Sequence, residues 1–347
     1  GKRIKKSGIG ARHGAFRILS RVKEDVLDFA FLENSGITVK HQASLSDYTT
    51  FRLGGRCPTL LTCQTPQQLQ STIDFCVQHD KEFLLIGGGS NLVVSDEGLD
   101  CYVVRYVSQN PLIERYDHDL VVSASTSLDS LAQYAAELGL EGINYASGIP
   151  GTVGGAIVGN AGAFGQQIGD VVQSVNVLCK DQAYLRKELC PSDLQFTYRN
   201  SILKQTGDIV VSVRLSLVPR KMQSLLDERH DILSTRRKKH PDLLQYPCAG
   251  SFFRNVESTS QAGRRQAAGW FLEQADGKRL TSGGASIFSK HANIIVKTFD
   301  CRAQDVYALS RKMKDVVREK FDLDLVREVR FVGKFKGMPE GIQSIIW

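Results

Sequence analysis

The sequence predicts an α+β protein made of several structural units. Three observations favour this fold class. The chain has 347 residues, which corresponds to two or three domains at roughly 150 residues each. Strand-like and amphipathic helical patterns follow one another irregularly, and 42% of the residues are hydrophobic, enough for sizeable cores. Two glycine-rich segments, at residues 84–94 and 145–165, interrupt these patterns.

The first unit starts with a well-marked helix. Thr65 is placed to cap it, Pro66 occupies the first helical position, and Gln68 completes a capping box. The apolar positions that follow share one helix face: Leu69, Ile73, Cys76 and Val77. Strands are expected at 83–86 and 101–106, so this unit is a small α/β layer.

The first glycine-rich segment, LLIGGGSNLVV, lies between two apolar stretches of that unit. A strand leads into it, and small polar groups follow the turn; the residues concerned are Gly87, Gly88, Gly89, Ser90 and Asn91. Glycine permits close approach of the backbone to a ligand, and exposed N–H groups suit a pyrophosphate. Neither glycine-rich segment fits G-x-G-x-x-G, and the chain lacks G-x-x-x-x-G-K-[ST], so no Rossmann or P-loop motif is present.

The second glycine-rich segment, residues 145–165, has seven glycines in 21 residues. One interpretation is a flexible linker. The other is a loop that holds a phosphate or a flat cofactor, and it is favoured because apolar anchors interrupt the run: Ile149, Pro150, Val153, Ile157, Val158 and Phe164. Two such loops about sixty residues apart predict a ligand clamped between two layers.

The rest of the chain predicts a strand-rich second unit and a mixed third unit. Strands are expected at 120–124, 175–179 and 209–217, and a helix from Leu128 ends at Gly139. In the third unit a helix starts near Met222 and runs through 236–239, and a later helix carries one apolar stripe: Val306, Leu309, Met313, Val316 and Val317. A final strand at 325–332 would place Glu328 and Arg330 on one face.

Charge is concentrated at the amino-terminal end. Residues 1–23 contain eight basic side chains and no acidic one, and removing these eight from the 44 basic residues leaves 36 against 37 acidic residues. The net charge of +7 therefore belongs to this segment. We expect residues 1–24 to form a basic, disordered arm; a nucleic-acid or membrane-surface role is the alternative.

The eight cysteines include no C-x-x-C pair, and several lie in apolar runs, so we expect small buried side chains in a reducing compartment and no metal site. No apolar run reaches the ~18 residues of a membrane span, and there is no apolar signal-peptide core. We therefore expect a cytoplasmic protein with no membrane span.

Three polar segments suggest chemistry. Arg199 lies among aromatic and small polar residues and offers a rigid donor fork for carboxylate or phosphate, although a surface arginine is equally compatible. Ser251, between Gly250 and Phe252, is a nucleophile, a proton donor or a simple cap; no G-x-S-x-G elbow supports acyl transfer. Glu328 between two arginines is either an ion-pair partner or a catalytic group. His291 fits a structural role better than that of a base.

Together these segments resemble one family, the UDP-N-acetylenolpyruvoylglucosamine reductases (MurB). Eight shared motifs occur in the family's order and cover nearly all of residues 30–335. They are YTTFRLGG (48–55), LLIGGGSNLVV (84–94), SGIPGTVGGAIVGNAGAFG (147–165), FTYRNSILK (196–204), CAGSFFRN (248–255), AAGWFLEQA (267–275), GGASIFSKHANIIV (283–296) and REVRFVG (327–333).

The resemblance implies a two-part FAD-binding domain of the vanillyl-alcohol-oxidase (PCMH) type and a C-terminal α/β substrate-binding domain. The implied boundaries are 25–106 for the first FAD subdomain, with 333–347 returning to it, 107–220 for the second, and 221–332 for the substrate domain. The implied reaction is the reduction of UDP-N-acetylglucosamine enolpyruvate to UDP-N-acetylmuramate for peptidoglycan synthesis. NADPH reduces FAD and leaves, hydride passes from flavin N5 to C3, and C2 takes a proton.

By motif, Ser251 is expected to be the proton donor, and Arg199 with Glu328 to stabilise or orient the enolate. The FAD cradle is expected to comprise residues of both glycine loops: Gly87, Gly88, Gly89, Ser90, Asn91, Gly148, Ile149, Pro150, Gly151, Val153, Gly154 and Gly155. Tyr198, Arg254 and Asn255 are expected to line the substrate pocket. We expect a monomer that binds NADPH and the enolpyruvyl substrate, with no metal and no nucleic acid.

This sequence departs from the family pattern in four places. The arm has no counterpart, Gly159 stands where a larger apolar residue is common, Arg254 stands where lysine is frequent, and 205–247 lacks a tyrosine-bearing lid insert. Two other hypotheses remain: a different FAD oxidoreductase of the same fold, and a non-catalytic nucleotide- or nucleic-acid-binding protein that uses the arm.

Overall fold

The computed structural model describes residues 29–258 and 264–339, so the basic arm predicted at 1–24 lies outside the described residues. Its described helices of α type are Pro66–Gln78, Leu128–Glu137, Val153–Gly159, Pro191–Leu194, Leu203–Thr206, Met222–Lys239, Ala268–Gln274 and Ala303–Phe321. Short 3-10 turns occur at Leu45–Tyr48, Asn144–Ala146, Ile168–Asp170, Lys180–Gln182 and Gly277–Arg279. This mixture of helices and sheets is α+β, as the sequence predicts.

The first sheet has four strands in the order Thr38–Ser44, Arg56–Cys63, Tyr102–Tyr106 and Phe83–Ile86. The first pair is antiparallel and the other two are parallel. Strand Phe83–Ile86 has the predicted bounds. Helix Pro66–Gln78 begins with the predicted capping box: Thr65 accepts from the Gln68 backbone N–H, and the Gln68 side chain accepts from the backbone N–H of Thr65.

The second sheet has five antiparallel strands, ordered Leu185–Leu189, Val172–Cys179, Ile209–Ser216, Asp119–Ser123 and Ile113–Tyr116. Its buried side chains share one hydrophobic core with those of the first sheet and of helices Pro66–Gln78 and Leu128–Glu137. Two short antiparallel pairs accompany it: Gly162–Ala163 with Gln166–Gln167, and Leu140–Glu141 with Val218–Pro219.

The C-terminal part contains a three-stranded antiparallel sheet, Thr281–Ser282, Ala285–Ile287 and Ile295–Lys297, with helix Ala303–Phe321 against it. The apolar stripe predicted on this helix is largely buried, since Val306, Leu309, Met313 and Val317 lie in the core while Val316 packs at its edge. Phe51, Leu53 and Val93 from the first part of the chain belong to the same cluster.

The final predicted strand is shorter than expected. Only Arg330–Val332 is a strand, pairing in parallel with Leu92–Val94, whereas Arg327 makes an isolated bridge to Phe253. The reason is that the N–H groups of Glu328 and Val329 both donate to the carbonyl of Phe252, at 2.9 and 3.3 Å, which breaks the regular ladder. This irregularity ties Glu328 to the chain beside Ser251.

The second glycine-rich segment also differs from the expected loop, because it contains helix Val153–Gly159. Thr152 caps this helix by accepting from Gly155 N–H, and Asn160 ends it in the left-handed conformation, at φ 43°. Buried Val153, Ile157 and Val158 explain why so glycine-rich a sequence holds a helical turn. Packing against the second sheet outweighs the weak helix propensity of glycine.

Candidate functional site

The two glycine-rich segments lie directly against each other. A Cβ atom placed on Gly88 would lie 3.2 Å from the Cα of Gly151, and one on Gly87 would lie 2.5 Å from Oγ1 of Thr152. The Ser90 hydroxyl donates to the Pro150 carbonyl at 3.2 Å. Glycine is therefore needed at these two positions for the loops to meet, and the two loops form one continuous surface.

The first loop offers unsatisfied backbone donors. Within the described part of the chain, the backbone N–H groups of residues 87–91 donate no hydrogen bond, and neither do those of Gly151 and Thr152. Unpaired N–H groups in a turn are suited to phosphate oxygens. The loops thus fit the pyrophosphate of a dinucleotide cofactor, and their glycines leave room for its close approach.

Other members of the predicted cradle are held by neighbouring elements. Gly148 N–H donates to Asp129 Oδ1 at 2.7 Å, and Gly154 N–H donates to the Ala124 carbonyl at 2.9 Å. Val153 and Ile149 pack in the core of the first two sheets. These contacts fix the loop backbone, so Gly148, Ile149, Val153, Gly154 and Gly155 support the surface that residues 87–91 and 151–152 present.

Arg199 occupies a tight turn with unusual backbone geometry. Thr197 and Asn200 exchange two backbone hydrogen bonds of 3.1 Å, and Arg199, the third residue of the turn, has a φ of 55°. This position of a type II turn favours glycine or asparagine, so an arginine there is strained. An arginine in this conformation needs surrounding contacts that keep the turn in place.

The end of the second glycine-rich segment holds this turn in place. Asn160 Nδ2 donates to the Thr197 carbonyl at 2.8 Å, and Ser201 Oγ donates to the Val158 carbonyl at 2.7 Å. Arg199 Nη2 donates to the Gly162 carbonyl at 2.7 Å. The predicted cofactor loop and the predicted catalytic arginine therefore share one scaffold.

Arg199 and Glu328 form an ion pair, with Nε 3.0 Å from Oε1. Both side chains are largely buried, at 23% and 26% exposure. Burial raises the pKa of Glu328 above its ordinary value, while the charges of Arg199, Arg254 and Lys204 oppose that rise. Three cations thus face one carboxylate, an excess of positive charge that suits a bound anion.

Ser251 is linked to this cluster through the next residue in the chain. It pairs with Ile294, and the following residue, Phe252, accepts the N–H of Glu328 at 2.9 Å. Phe252 is fully buried in the C-terminal core and anchors this segment. The Ser251 hydroxyl has no hydrogen-bond partner among the described residues and is free to meet a ligand. Asn91 joins the same region, since its Nδ2 donates to the Glu328 carbonyl at 3.1 Å.

The predicted substrate residues also come together. The Tyr198 hydroxyl accepts from Asn255 N–H at 3.2 Å, and Asn255 Oδ1 accepts from Ala268 N–H at 3.3 Å. The guanidinium of Arg265 stacks 3.6 Å above the Tyr198 ring. Arg254 Nε is buried without a hydrogen-bond partner in the described structure, which leaves a donor for an incoming group.

Sequence reasoning missed two basic residues at the site. Lys204, within the quoted motif FTYRNSILK, donates from Nζ to the Arg199 carbonyl. Arg236, at the end of helix Met222–Lys239, lies against Gly148, where an added Cβ would sit 3.1 Å from its Cδ. Locally each resembles a solvated surface cation; only the tertiary fold brings them inward.

His291 packs against the ring of His240, with 5.5 Å between the ring centroids. This contact fits the structural role expected for His291.

The described residues contain no group of three or more histidine, cysteine or acidic side chains placed to hold a metal ion. All eight cysteines are free, six of them buried. None of the described helices is long and apolar enough to span a bilayer.

Comparison with known proteins defines the class of protein. Residues 58–186 match the family model "FAD binding domain", which covers both glycine-rich loops, and residues 242–332 match the model of the UDP-N-acetylenolpyruvoylglucosamine reductase C-terminal domain. With the two loops and the Arg199–Glu328 cluster, these matches define a flavoprotein oxidoreductase with an FAD-binding domain and a C-terminal substrate domain. The predicted fold class is confirmed.

Relatives narrow the class to one family. UDP-N-acetylenolpyruvoylglucosamine reductase of Nostoc punctiforme is 35% identical over 314 residues, covering 88% of this chain and 90% of that protein. The enzyme of Lactobacillus acidophilus is 34% identical, covering 87% and 98%. The crystal structure of MurB from Thermus caldophilus has a TM-score of 0.69 at 32% identity, covering 85% of this chain and 99% of that one. This chain belongs to the UDP-N-acetylenolpyruvoylglucosamine reductase family.

Proposed function

We propose that this chain reduces UDP-N-acetylglucosamine enolpyruvate to UDP-N-acetylmuramate with NADPH, through bound FAD, in peptidoglycan precursor synthesis. Family membership supports the reaction. The main support for the residue assignment is the ion pair between Arg199 and Glu328, with 3.0 Å between Nε and Oε1. The backbone N–H of Glu328 donates to the carbonyl of Phe252, the residue after Ser251, so the serine lies on the adjoining segment.

The cofactor would lie on the surface formed by the two glycine loops. Residues 87–91 with Gly151 and Thr152 present the free N–H groups that its pyrophosphate needs, and the residues from Gly148 to Gly155 keep that surface rigid. When bound and reduced by NADPH, FAD supplies the hydride that is added to C3 of the enol ether. The chain itself binds, orients and protonates the substrate.

The excess of positive charge would receive the acidic parts of the substrate. Arg199, Arg254 and Lys204 face the single carboxylate of Glu328. An enolpyruvyl carboxylate placed there supplies the missing negative charge, and arginine can bind it through two donors. Tyr198, Arg254 and Asn255 would bind the nucleotide-sugar part. We propose that Glu328 holds Arg199 in place and, with it, orients the carboxylate.

Ser251 would deliver the proton to C2. Negative charge develops at C2 and the adjoining carboxylate as C3 receives the hydride, and Arg199 is positioned to stabilise that charge. A serine hydroxyl is a weak acid, so it donates only when it lies close to a strongly basic carbon and the proton is polarised by nearby cations. The Ser251 hydroxyl makes no hydrogen bond to the described residues, which leaves it available to a bound substrate and supports this role.

The test is an anaerobic two-step assay of the purified protein loaded with FAD. We expect NADPH to bleach the flavin absorbance, and UDP-N-acetylglucosamine enolpyruvate to restore it with formation of UDP-N-acetylmuramate. Bleaching of the flavin by simple alcohols and its restoration by oxygen, with no response of the reduced flavin to the enolpyruvyl substrate, would instead support another flavoenzyme of this fold. Absence of flavin binding would support the non-catalytic alternative.

We further propose that the protein is a monomer and that it is cytoplasmic, since NADPH and nucleotide sugars are available in the cytoplasm. The buried free cysteines support a reducing compartment. Sedimentation of the loaded protein and cell fractionation test these two points.

A further inference from the structure

Lys204 lies one turn of chain beyond Arg199, in the four-residue helix Leu203–Thr206. Its Nζ donates a hydrogen bond to the carbonyl oxygen of Arg199. This is the one hydrogen bond that the amine makes to the described residues. The amine thus folds back over its own turn and binds a backbone carbonyl instead of extending into solvent.

The conformation of Arg199 explains why the turn needs support. Its φ of 55° is unfavourable for any side chain other than glycine, asparagine or aspartate, and costs of order 1 kcal/mol or more. The contacts from Asn160 and Ser201 hold the residues on either side of Arg199, at Thr197 and Ser201. The bond from Lys204 is made to the strained residue's own peptide group.

The electrostatic surroundings make this placement costly, which argues for a role. Lys204 is largely buried, and the neighbouring charges that disfavour its ammonium are those of Arg254, Arg330 and Arg199; Glu328 is the one that favours it. Burial and these cations lower the pKa of Lys204 to about 8. The hydrogen bond to the Arg199 carbonyl is the contact that holds this ammonium in the cluster.

We propose that Lys204 is a positioning residue: its ammonium holds the left-handed turn at Arg199 and so keeps the Arg199 guanidinium against Glu328 and the substrate carboxylate. This inference rests on the role proposed for Arg199 above. The ammonium binds the carbonyl more strongly than the neutral amine does. Loss of its proton therefore loosens the turn. The rate of flavin reoxidation by the enolpyruvyl substrate then declines as pH rises through about 8.

The experiment compares Lys204→Met, which keeps the side-chain length without the donor, with Lys204→Arg, which keeps a charge that does not titrate in this range. Flavin reduction by NADPH and flavin reoxidation by UDP-N-acetylglucosamine enolpyruvate are measured separately from pH 6 to 9.5. We expect Lys204→Met to slow reoxidation by about 10²-fold, the typical effect of a misplaced group, while leaving flavin reduction and flavin content largely unchanged. In Lys204→Arg the decline above pH 8 should disappear.

A double-mutant cycle separates this role from direct action on the substrate. In an Arg199→Gly background the turn needs no support, because glycine adopts positive φ freely, so Lys204→Met should slow reoxidation far less than it does beside Arg199. If the two substitutions slow reoxidation independently, Lys204 acts by itself and the proposal is overturned. A decline near pH 8 that persists in Lys204→Arg overturns it as well, and this arm remains available if Lys204→Met does not fold.

Failure of this inference can be told apart from failure of the proposed function. If Arg199→Gly reoxidises at the wild-type rate, the role of Arg199 itself is wrong. If Arg199→Gly is slow but Lys204→Met is normal, only the positioning role of Lys204 is wrong.

Discussion

Arg199 Nε lies 3.0 Å from Glu328 Oε1, and the two residues reach this contact from different parts of the fold. Arg199 comes from a strained turn bonded to the end of the second glycine-rich segment, at Gly162. Glu328 comes from the point where the last strand leaves its ladder to bond with Phe252. The ion pair therefore joins the cofactor-binding part of the molecule to the part that bears Ser251.

The first prediction concerns Glu328→Gln, which keeps the shape of the side chain and removes its charge. The cations Arg199, Arg254 and Lys204 would then repel one another without a central anion, and Arg199 would lose its partner. We expect flavin reoxidation by the enolpyruvyl substrate to slow by about 10²-fold, as for a displaced catalytic group, with flavin content retained. Stopped-flow absorbance measures this rate.

The control for that variant is Glu319→Gln, which removes the charge of an exposed glutamate on helix Ala303–Phe321. It should reoxidise at the wild-type rate. A normal rate in Glu328→Gln would mean that the ion pair serves stability alone.

The second prediction concerns the contact of the two glycine loops. Gly88→Ala places a Cβ 3.2 Å from the Gly151 Cα, a distance at which the backbones must move apart. We expect FAD affinity to fall by at least about tenfold, because a shift of the free N–H groups by a few tenths of an ångström loosens several hydrogen bonds, each worth roughly 1 kcal/mol. Fluorescence titration with FAD measures the affinity.

Gly159→Ala is the matched control, since a Cβ at Gly159 meets nothing within 4 Å. Gly159 is the last residue of helix Val153–Gly159, so alanine should leave FAD affinity unchanged and stabilise the protein by up to about 1 kcal/mol. Equal FAD affinity in Gly88→Ala and Gly159→Ala would contradict the proposed cradle.

The third prediction concerns acid. Burial lowers the pKa of His240 from 6.5 to about 4, and the charges of His291, Arg236 and Lys239 act in the same direction. Between these values the unfolded chain binds a proton that the folded protein does not, so the free energy of unfolding decreases as pH falls from 6.5 to 4. At full strength the expected contribution is about 3 kcal/mol.

Urea unfolding at several pH values measures that slope. His240→Gln should make it shallower, whereas His230→Gln, which changes an exposed imidazole, serves as the control. An unchanged slope in His240→Gln would show that another group is responsible for the acid sensitivity.

Local signals predicted much of the secondary structure. The capping box at Thr65 and Gln68, the strand Phe83–Ile86 and the apolar stripe of helix Ala303–Phe321 are all present, because each depends on residues close in sequence. Strands Thr38–Ser44 and Arg56–Cys63 were not predicted, since their pairing is long-range and Pro58 interrupts the strand pattern.

The site was predicted unevenly for the same reason. The motifs indicate Ser251, Arg199 and Glu328 as candidates, and the structure brings Arg199 and Glu328 into contact, but no local pattern indicates the positive φ of Arg199 or the broken ladder at Glu328. The sequence does not indicate a role for Lys204, because a lysine after a turn normally extends into water. Only the fold brings Arg254, Arg330 and Glu328 around it.

The central claim is that Ser251 donates the proton to C2, and the most direct measurement is single-turnover kinetics of Ser251→Ala. We expect NADPH to reduce the flavin at the wild-type rate and the enolpyruvyl substrate to reoxidise it at least about 10²–10⁴-fold more slowly. Ser286→Ala, on strand Ala285–Ile287 of the C-terminal sheet, should behave as wild type in both steps. Equal slowing of both half-reactions in Ser251→Ala, or no slowing of reoxidation, would contradict the claim.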